Sequence, residues 1–455
     1  MFLGEEPTIE IMPVSPARAA AFDILLRVER ESSYASELLH ANQSLSSKDH
    51  ALATELVMGV LRWRSRLDDE ITASSSQPLK KLDLEVLITL RLALYQFRFS
   101  DRIPPRAALN ESVELVKRAR KRSAAPFVNA VLRKLSSPLC TSAPRVVNAF
   151  DLANAYSHPQ WLVERWAREY GIPAAKQICE QNQSAPTTTI RLRKSSTEDE
   201  LKAEGLQLLP GELLRDARRV QSGDVAKTKT FRNGSIAMQD EASQLVAALV
   251  GNASHQALHI LDCCAAPGGK TLAIADQNSS AEITAVEVHP HRARLLRDRL
   301  RSTPQTQVLT ADARDLPFSS TFDRILSDVP CSGTGTLRRH PEIKWRLTPS
   351  DLTDLHNRQI AILRSALAHL KPGGRLIYST CSLEKEENED VLEQLLSESN
   401  SVQRVDCREE LDSLKSSGAL IWPDPASLLR GPYLRTIPGV HPCEGFFAAI
   451  LEKSM

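Results

Sequence analysis

No apolar run in the chain reaches the ~18 residues that a membrane-crossing helix needs, so no membrane association is expected. No pair among the eight cysteines has C-x-x-C spacing, which argues against a zinc ribbon or a thioredoxin-like motif, and no metal site is expected. Met1 to Pro16 carries Glu5, Glu6 and Glu10 and lacks a basic stretch ahead of an apolar core. A secretory signal is therefore not expected, and the expected compartment is the cytoplasm. Charge of one sign is also missing: 57 basic against 56 acidic residues leave a net +1, so the overall balance advertises no polyanionic partner. In a reducing compartment Cys140, Cys179, Cys263, Cys264, Cys331, Cys381, Cys407 and Cys443 are thiols, and most should be small buried hydrophobes.

What is present is a chain of 455 residues, 42% hydrophobic and 25% charged, long enough for two or three domains. The first ~140 residues read as all-helical, with apolar residues at helical spacing in 19–39, 51–67, 84–97 and 107–117. The stretch SDRIPP (100–105) breaks one helix from the next, because a proline disfavours helix in the residue before it. Charge is local here: Lys117, Arg118, Arg120, Lys121, Arg122, Arg133 and Lys134 form a basic stretch with no acid between Lys117 and Lys134. Such a stripe is either a phosphate footprint or a solvated helix face. Residues 143–236 mix types, with a helix at 161–170 and a strand at TTTIRLR (187–193), and read as a small α/β linker subdomain. From residue 237 strands and helices alternate. HILD (259–262), EITAVEV (282–288), TQVLTAD (306–312), FDRILSD (322–328) and GRLIYST (374–380) are separated by helices such as 292–300 and 360–370. Repeated βα units predict a mostly parallel sheet covered on both faces, with ligands bound at the carboxyl ends of its strands.

The distinctive motifs fall at those ends. LDCCAAPGGKT (261–271) follows the first strand, and its small residues allow close approach of the backbone to a nucleotide-like ligand. A Walker A loop needs glycine five residues before Gly269, where Cys264 stands, and no G-x-G-x-x-G is present. Glu287 ends the next strand, where an acid can accept both hydroxyls of a ribose. Asp312, at the third strand end, is placed to accept from an adenine amino group. Loop, ribose acid and base acid in succession point to an adenosyl ligand. SDVPCSGTGT (327–336) and YSTCS (378–382) end the fourth and fifth strands and bring Cys331 and Cys381 to the same crevice, beside Asp328. A lone cysteine there is usually a buried structural thiol; two at adjacent strand ends fit a reactive pair.

DCCAAPGGKT, DVPCSGTG, RRHPEIKWR (338–346) and YSTCSLEKEEN (378–388) resemble the RNA cytosine-C5 methyltransferases of the NOL1/NOP2/Sun class. The helical part, including APFVNAVLRKL (125–135), resembles the NusB-like RNA-binding domain, and the pairing is similar to the bacterial RsmB (Sun, Fmu) ribosomal RNA methyltransferases. The resemblance covers nearly the whole chain and is weakest in the middle. It implies an all-α NusB-like bundle (1–142), the linker subdomain (143–236) and a Rossmann-like S-adenosylmethionine-dependent methyltransferase domain (237–455). It implies S-adenosylmethionine as cofactor, held by Cys264, Ala265, Ala266, Pro267, Gly268, Gly269 and Lys270 with Glu287, Asp312 and Asp328. One departure is the ribose acid, often Asp in relatives and Glu287 here; the longer side chain can make the same two bonds.

The resemblance further implies Cys381 as nucleophile and Cys331 as the second cysteine, assisting release. A thiolate added at carbon 6 of cytosine makes carbon 5 a carbon nucleophile, which is covalent catalysis. Asp328 is placed to bond the ring at N3 or the amino group. The base must leave any stack to be reached. Lys117, Arg120, Lys121, Arg122, Arg133 and Lys134 are the candidate RNA contacts, serving position rather than chemistry. The expected substrate is a cytosine of 16S small-subunit ribosomal RNA, and the expected state is a monomer without an obligate protein partner. Open alternatives are the same chemistry on tRNA or another ribosomal cytosine, a non-catalytic RNA-binding or antitermination factor, and a DNA-type enzyme with Cys331 as attacker.

Overall fold

The computed structural model describes residues 14–42, 44–100, 103–137, 146–194, 197–251 and 257–455. The start of the chain through Pro13, Asp101 and Arg102 of the SDRIPP break, Cys140, and the expected boundary at 142 lie outside these residues. The chain forms two compact units: residues 1–183 with 338–345, and residues 184–337 with 346–455. The segment expected as a linker is thus divided, with its residues up to 183 in the first unit and the rest in the second.

The first unit is helical: α1 (Pro16–Glu31), α2 (Ala35–Ala41), α3 (Ser47–Arg62), α4 (Arg64–Ser74), α5 (Leu84–Phe99), α6 (Pro105–Arg118), α7 (Ala125–Leu135), α8 (Ala149–Ala155) and α9 (Gln160–Gln183). Two expected helices are each divided. Ser32, with φ 54°, ends α1, and Trp63 separates α3 from α4. Helix α9 is broken at Gly171, whose φ of 82° only glycine adopts readily, and Pro173 opens its second half. Helix α5 is apolar on nearly every face and forms the axis of the core, with Ile88, Leu90, Leu92, Ala93 and Leu94 buried. Its one charge inside the protein, Arg91, meets both carboxylate oxygens of Asp68 at 2.7 and 2.8 Å, as a buried guanidinium must.

The second unit begins with β1 (Thr189–Leu192), α10 (Thr197–Ala203), β2 (Gln207–Pro210), β3 (Ala217–Ser222), the one-turn α11 (Lys229–Arg232) and β4 (Ile236–Met238). These strands form an antiparallel sheet in the order β2-β3-β1-β4 over Ile190, Leu192, Leu201, Leu206, Val225 and Ile236. Then follow α12 (Glu241–Ala248), β5 (His259–Asp262), α13 (Gly269–Gln277), β6 (Glu282–Glu287), α14 (Pro290–Arg299), β7 (Thr306–Thr310) and β8 (Phe322–Asp328). After the short α15 (Ile343–Arg346) come α16 (Pro349–Ala368), β9 (Leu370–Thr380), α17 (Glu389–Glu398), β10 (Val402–Val405), α18 (Cys407–Ser416), β11 (Leu429–Arg430), β12 (Tyr433–Thr436) and β13 (Phe446–Lys453).

Among the described residues nine strands form the large sheet, in the order β11-β12-β13-β9-β8-β5-β6-β7 with β10 paired to β13. Its five expected strands, β5 to β9, are parallel. Successive residues alternate between two apolar layers: Ile260, Leu326 and Ile377 face one, and Leu261, Ile325, Leu376 and Tyr378 the other. From β5 the chain steps outward to β6 and β7, then returns to β5's other side as β8. The switch point therefore lies between β5 and β8, the place where sheets of this kind bind ligands at the carboxyl ends of their strands. Strands β10 to β13 are antiparallel additions that the sequence pattern did not distinguish, because FFAAILEK is buried on both faces and shows no alternation.

Residues 338–345, all but the last residue of RRHPEIKWR, pack inside the helical unit. There they cap the end of α3, whose last carbonyls have no partner within the helix. Trp345 Nε1 donates to Leu61 O at 2.6 Å, and Lys344 Nζ donates to Arg62 O at 2.9 Å and Ser157 O at 2.6 Å. Glu342 accepts from Ala35 N at the start of α2 at 3.0 Å. Lys344 is buried and, among the described residues, no carboxylate pairs with it; burial pushes its pKa well below the usual ammonium range. Lys344→Ala should lower the stability of this anchor by about 2–4 kcal/mol, since two buried carbonyls lose a donor and a cavity opens. Hydrogen–deuterium exchange of the full-length protein checks this through the amides of 338–345. A change below about 1 kcal/mol would show that the anchor rests on the other contacts.

Candidate active site

The site is built on two adjacent strand ends of the second unit. Strands β8 and β9 are parallel, with Ser327 opposite Tyr378 and Asp328 opposite Ser379. Cys331 follows the first end by three residues and Cys381 follows the second directly. Their sulfurs stand 3.3 Å apart as free thiols, and the Cys381 amide also donates to Cys331 Sγ at 3.3 Å. The Cys331 thiol is raised well above the ordinary cysteine value, first by its hydrogen bond to Cys381 and then by burial.

Glu387, fully buried, ties the two loops together. Its carboxylate accepts from Ser332 N at 2.8 Å on the Cys331 loop, from Ser382 Oγ at 2.5 Å on the Cys381 loop, and from Gln359 Nε2 at 3.0 Å on α16. Gly335 makes the close approach possible: its N–H donates to Cys381 O at 2.9 Å and its carbonyl accepts from Gly445 N at 2.9 Å. A Cβ there would lie 2.1 Å from Gly445 O, so only glycine fits.

Beside the sulfurs, Lys270 at the start of α13 donates to Asp328 Oδ2 at 2.6 Å, and Ser379 Oγ donates to Asp328 Oδ1 at 2.6 Å. The ammonium also lies over the Phe446 ring, 4.8 Å from its centroid. Burial works against the Lys270 charge, but the Asp328 carboxylate outweighs it and the pKa is raised; the Cys381 sulfur adds to the same effect. Preceding Lys270, the loop turns at Gly268 with φ 97°, and a Cβ would meet Leu296 Cδ1 at 2.6 Å. Cys264, Ala265, Ala266, Pro267 and Gly269 complete this loop between β5 and α13, with Ala265 N bonded to Val286 O at 2.9 Å.

Glu287 ends β6, buried, with Oε1 accepting from His289 N at 2.8 Å. Asp312 stands two residues past β7 and both its oxygens are held by Arg314, Oδ2 at 2.6 Å, which keeps its carboxyl below the usual range. The expected base contact is therefore occupied by a neighbouring guanidinium in this structure. Two buried oxygens near the loop went unnoticed in the sequence. Asp262 Oδ1 and Gln239 Oε1 have no hydrogen-bond partner among the described residues, and the Gln239 amide lies 3.6 Å from the Cβ position of Gly269. Asp262 reads as the last residue of a strand and Gln239 as the residue before a capped helix, so neither carries a signal of its own.

The basic candidates lie in the helical unit. Lys117 pairs with Glu114 at 2.7 Å, Lys121 with Asp83 at 2.9 Å, and Lys134 Nζ donates to Ser74 O at 3.3 Å. Arg120, Arg122 and Arg133 are exposed and make no ion pair among the described residues.

A parallel sheet with loop, acid and paired thiols at its switch point defines a Rossmann-like methyltransferase, here carrying a NusB-family domain. The family model "16S rRNA methyltransferase RsmB/F" matches residues 249–452, the NusB family model residues 15–137, and an RsmF/B-like ferredoxin-like domain model residues 158–225. A probable ribosomal RNA small subunit methyltransferase B of Bacillus subtilis is 34% identical, covering 97% of this chain and 100% of that protein. The ribosomal RNA small subunit methyltransferase B of Vibrio cholerae is 32% identical over 96% of this chain and 97% of its own length. The crystal structure of a methyltransferase homologue from Pyrococcus horikoshii is 25% identical with a TM-score of 0.55, covering 67% of this chain and 98% of that one. The chain belongs to the RsmB/F family of 16S rRNA methyltransferases. No helix among the described residues is long and apolar enough to cross a membrane.

Burial pushes the Asp262 carboxyl up to about 6, against roughly 4 in an unfolded chain. The folded state then binds more protons between these values, so this group's contribution is full below about pH 4 and lost as the pH rises through 6. Asp262→Asn, which can keep the 2.7 Å bond from Thr271 Oγ1, should stabilise the cofactor-free protein at pH 7.5 by about 2–3 kcal/mol. The gain should vanish near pH 4. Denaturant unfolding at the two pH values measures it, and an equal effect at both would show that no buried charge is involved.

Proposed function

We propose that this chain transfers the methyl group of S-adenosylmethionine to carbon 5 of a cytosine in 16S ribosomal RNA, with Cys381 as nucleophile and Cys331 resolving the adduct. The observation that carries this is the 3.3 Å spacing of two free sulfurs at adjacent strand ends, beside a partly buried ammonium–carboxylate pair. The names of the relatives supply the ribosomal substrate.

The residues present fit the cofactor. Gly268 keeps the loop backbone bare, Glu287 offers a buried carboxylate for a diol, and the unpartnered oxygens of Asp262 and Gln239 await donors. Asp312 would have to share its carboxylate with Arg314 to reach an adenine amino group. When bound, S-adenosylmethionine supplies an electrophilic methyl group on a sulfonium.

The chain's own groups do the rest. The neighbouring sulfur and burial both favour the protonated form of Cys331, which leaves Cys381, directly at the end of β9, as the sulfur that attacks carbon 6. Asp328, fixed between Lys270 and Ser379, accepts from the amino edge of the base, and the Lys270 ammonium offsets charge near Cys381. Once Cys381 is bonded to carbon, the interaction that chiefly raised Cys331 is gone. Cys331 then loses its proton to solvent more readily; as thiolate it takes the proton from carbon 5, whose electron pair re-forms the C5–C6 double bond and expels the Cys381 thiolate. Arg120, Arg122 and Arg133, with Lys117, Lys121 and Lys134, would hold phosphates in the helical unit.

Cys381→Ser should lose at least a hundred-fold in methyl transfer to 16S RNA while binding S-adenosylmethionine nearly as wild type. Cys331→Ser should instead accumulate a protein–RNA adduct that survives denaturing gels. An adduct in Cys381→Ser rather than Cys331→Ser would reverse the two roles, and bisulfite sequencing without a modified small-subunit cytosine would remove the substrate.

A further inference from the structure

The helix that follows the ribose acid carries a charge that neither the fold nor the chemistry above uses. Across residues 288–301, VHPHRARLLRDRLR, five arginines face one acid in a chain whose total charge is nearly balanced. Ala293, Leu296 and Leu300 bury one side of α14, which is all the packing this helix needs. Arg292, Arg294, Arg297 and Arg301 are exposed. Arg294 and Arg297 stand three residues apart, with Arg301 four further on just past the helix end. Like charges at such spacings weaken a helix rather than support it, and its first turn holds no acid to favour the dipole. The partners present are slight. Arg301 pairs with Asp298 at 2.6 Å in the open, and Arg297 reaches Val308 O and Thr310 Oγ1 only at 3.3 and 3.4 Å.

Its position is pointed. His289 N, at the head of α14, bonds Glu287 at 2.8 Å, and Arg299 Nη1 bonds Pro267 O of the glycine loop at 3.4 Å. Arg299 faces the glycine loop, whereas Arg294 and Arg297 lie on the opposite side of the helix, where Arg297 reaches the edge strand β7.

We propose that Arg294, Arg297 and Arg301 form a phosphate-binding surface at the β7 edge of the methyltransferase unit that holds the RNA backbone. A guanidinium grips phosphate oxygens with two donors, which suits a polyanion and explains arginine rather than lysine at every basic position of the stretch. This rests on ribosomal RNA being the substrate, and it adds a surface separate from the basic stretch of the helical unit.

The test uses the full-length protein, a 16S RNA transcript and a salt series. Each phosphate contact contributes about 0.7–0.9 to the slope of log affinity against log salt. R294Q/R297Q/R301Q should therefore flatten the slope by about two and weaken binding on the order of ten-fold or more at low salt. Affinity for S-adenosylmethionine, measured by calorimetry, should stay within about two-fold, which also verifies the fold. The triple lysine variant should keep the slope. Wild-type slope and affinity in the glutamine variant overturn the proposal while leaving the substrate intact. A wild-type protein with no salt-dependent binding to the transcript overturns both.

Discussion

A single buried carboxylate sets the geometry on which the proposed chemistry depends. Glu387 is fully enclosed, and removing a carboxylate from water costs several kcal/mol unless donors replace the solvent. Here Ser332, Ser382 and Gln359 supply them from three different elements. Burial raises the Glu387 pKa while these bonds pull it down, and the same negative charge adds to the pressure on Cys331 to keep its proton. The carboxylate thus fixes the spacing of the two cysteine loops and biases which sulfur is protonated. Gly335 completes the arrangement from the other side, since the backbone contacts to Cys381 and Gly445 leave no room for a side chain.

Much of this was legible in the chain because a parallel sheet leaves a plain trace. The five strands ending in Asp262, Glu287, Thr310, Asp328 and Thr380 each carry a short apolar run, and Glu287, Asp312, Asp328, Cys331 and Cys381 stand within three positions of those ends. The expected nucleophile pair meets because strand register is fixed once both faces are buried. Glu387 was not legible as a tether. In SLEKEEN it reads as one acid of a solvated run, and only the fold shows that it turns inward while its neighbour Lys385 reaches Asp390 at 3.0 Å. The antiparallel strands were illegible for a related reason: β13 carries no period when neighbours cover both its faces. The basic stretch shows the opposite limit. Counting charge could not reveal that Lys117, Arg118 and Lys121 meet Glu114, Asp23 and Asp83, carboxylates drawn from as far away as α1.

Two lysines of quoted motifs show how far burial alone is from defining a role. Lys344 is enclosed and Lys270 largely so, and both lie against an aromatic ring, at 4.8 Å from Phe446 for Lys270 and 4.9 Å from Trp345 for Lys344. Lys270 has the Asp328 carboxylate at 2.6 Å and is held charged, so it brings a fixed positive charge to the place where the thiols stand. Lys344 donates to backbone carbonyls and, among the described residues, pairs with no carboxylate, so its charge is disfavoured. An ammonium paired with a carboxylate keeps its electrostatic influence in a low-dielectric site, whereas one spent on helix-end carbonyls serves as a cap. The motif RRHPEIKWR therefore contributes through anchorage: within the helical unit, Lys344 and Trp345 take up the last carbonyls of α3. A sequence motif and a reactive site need not coincide, and in this chain the partner of each ammonium separates the two.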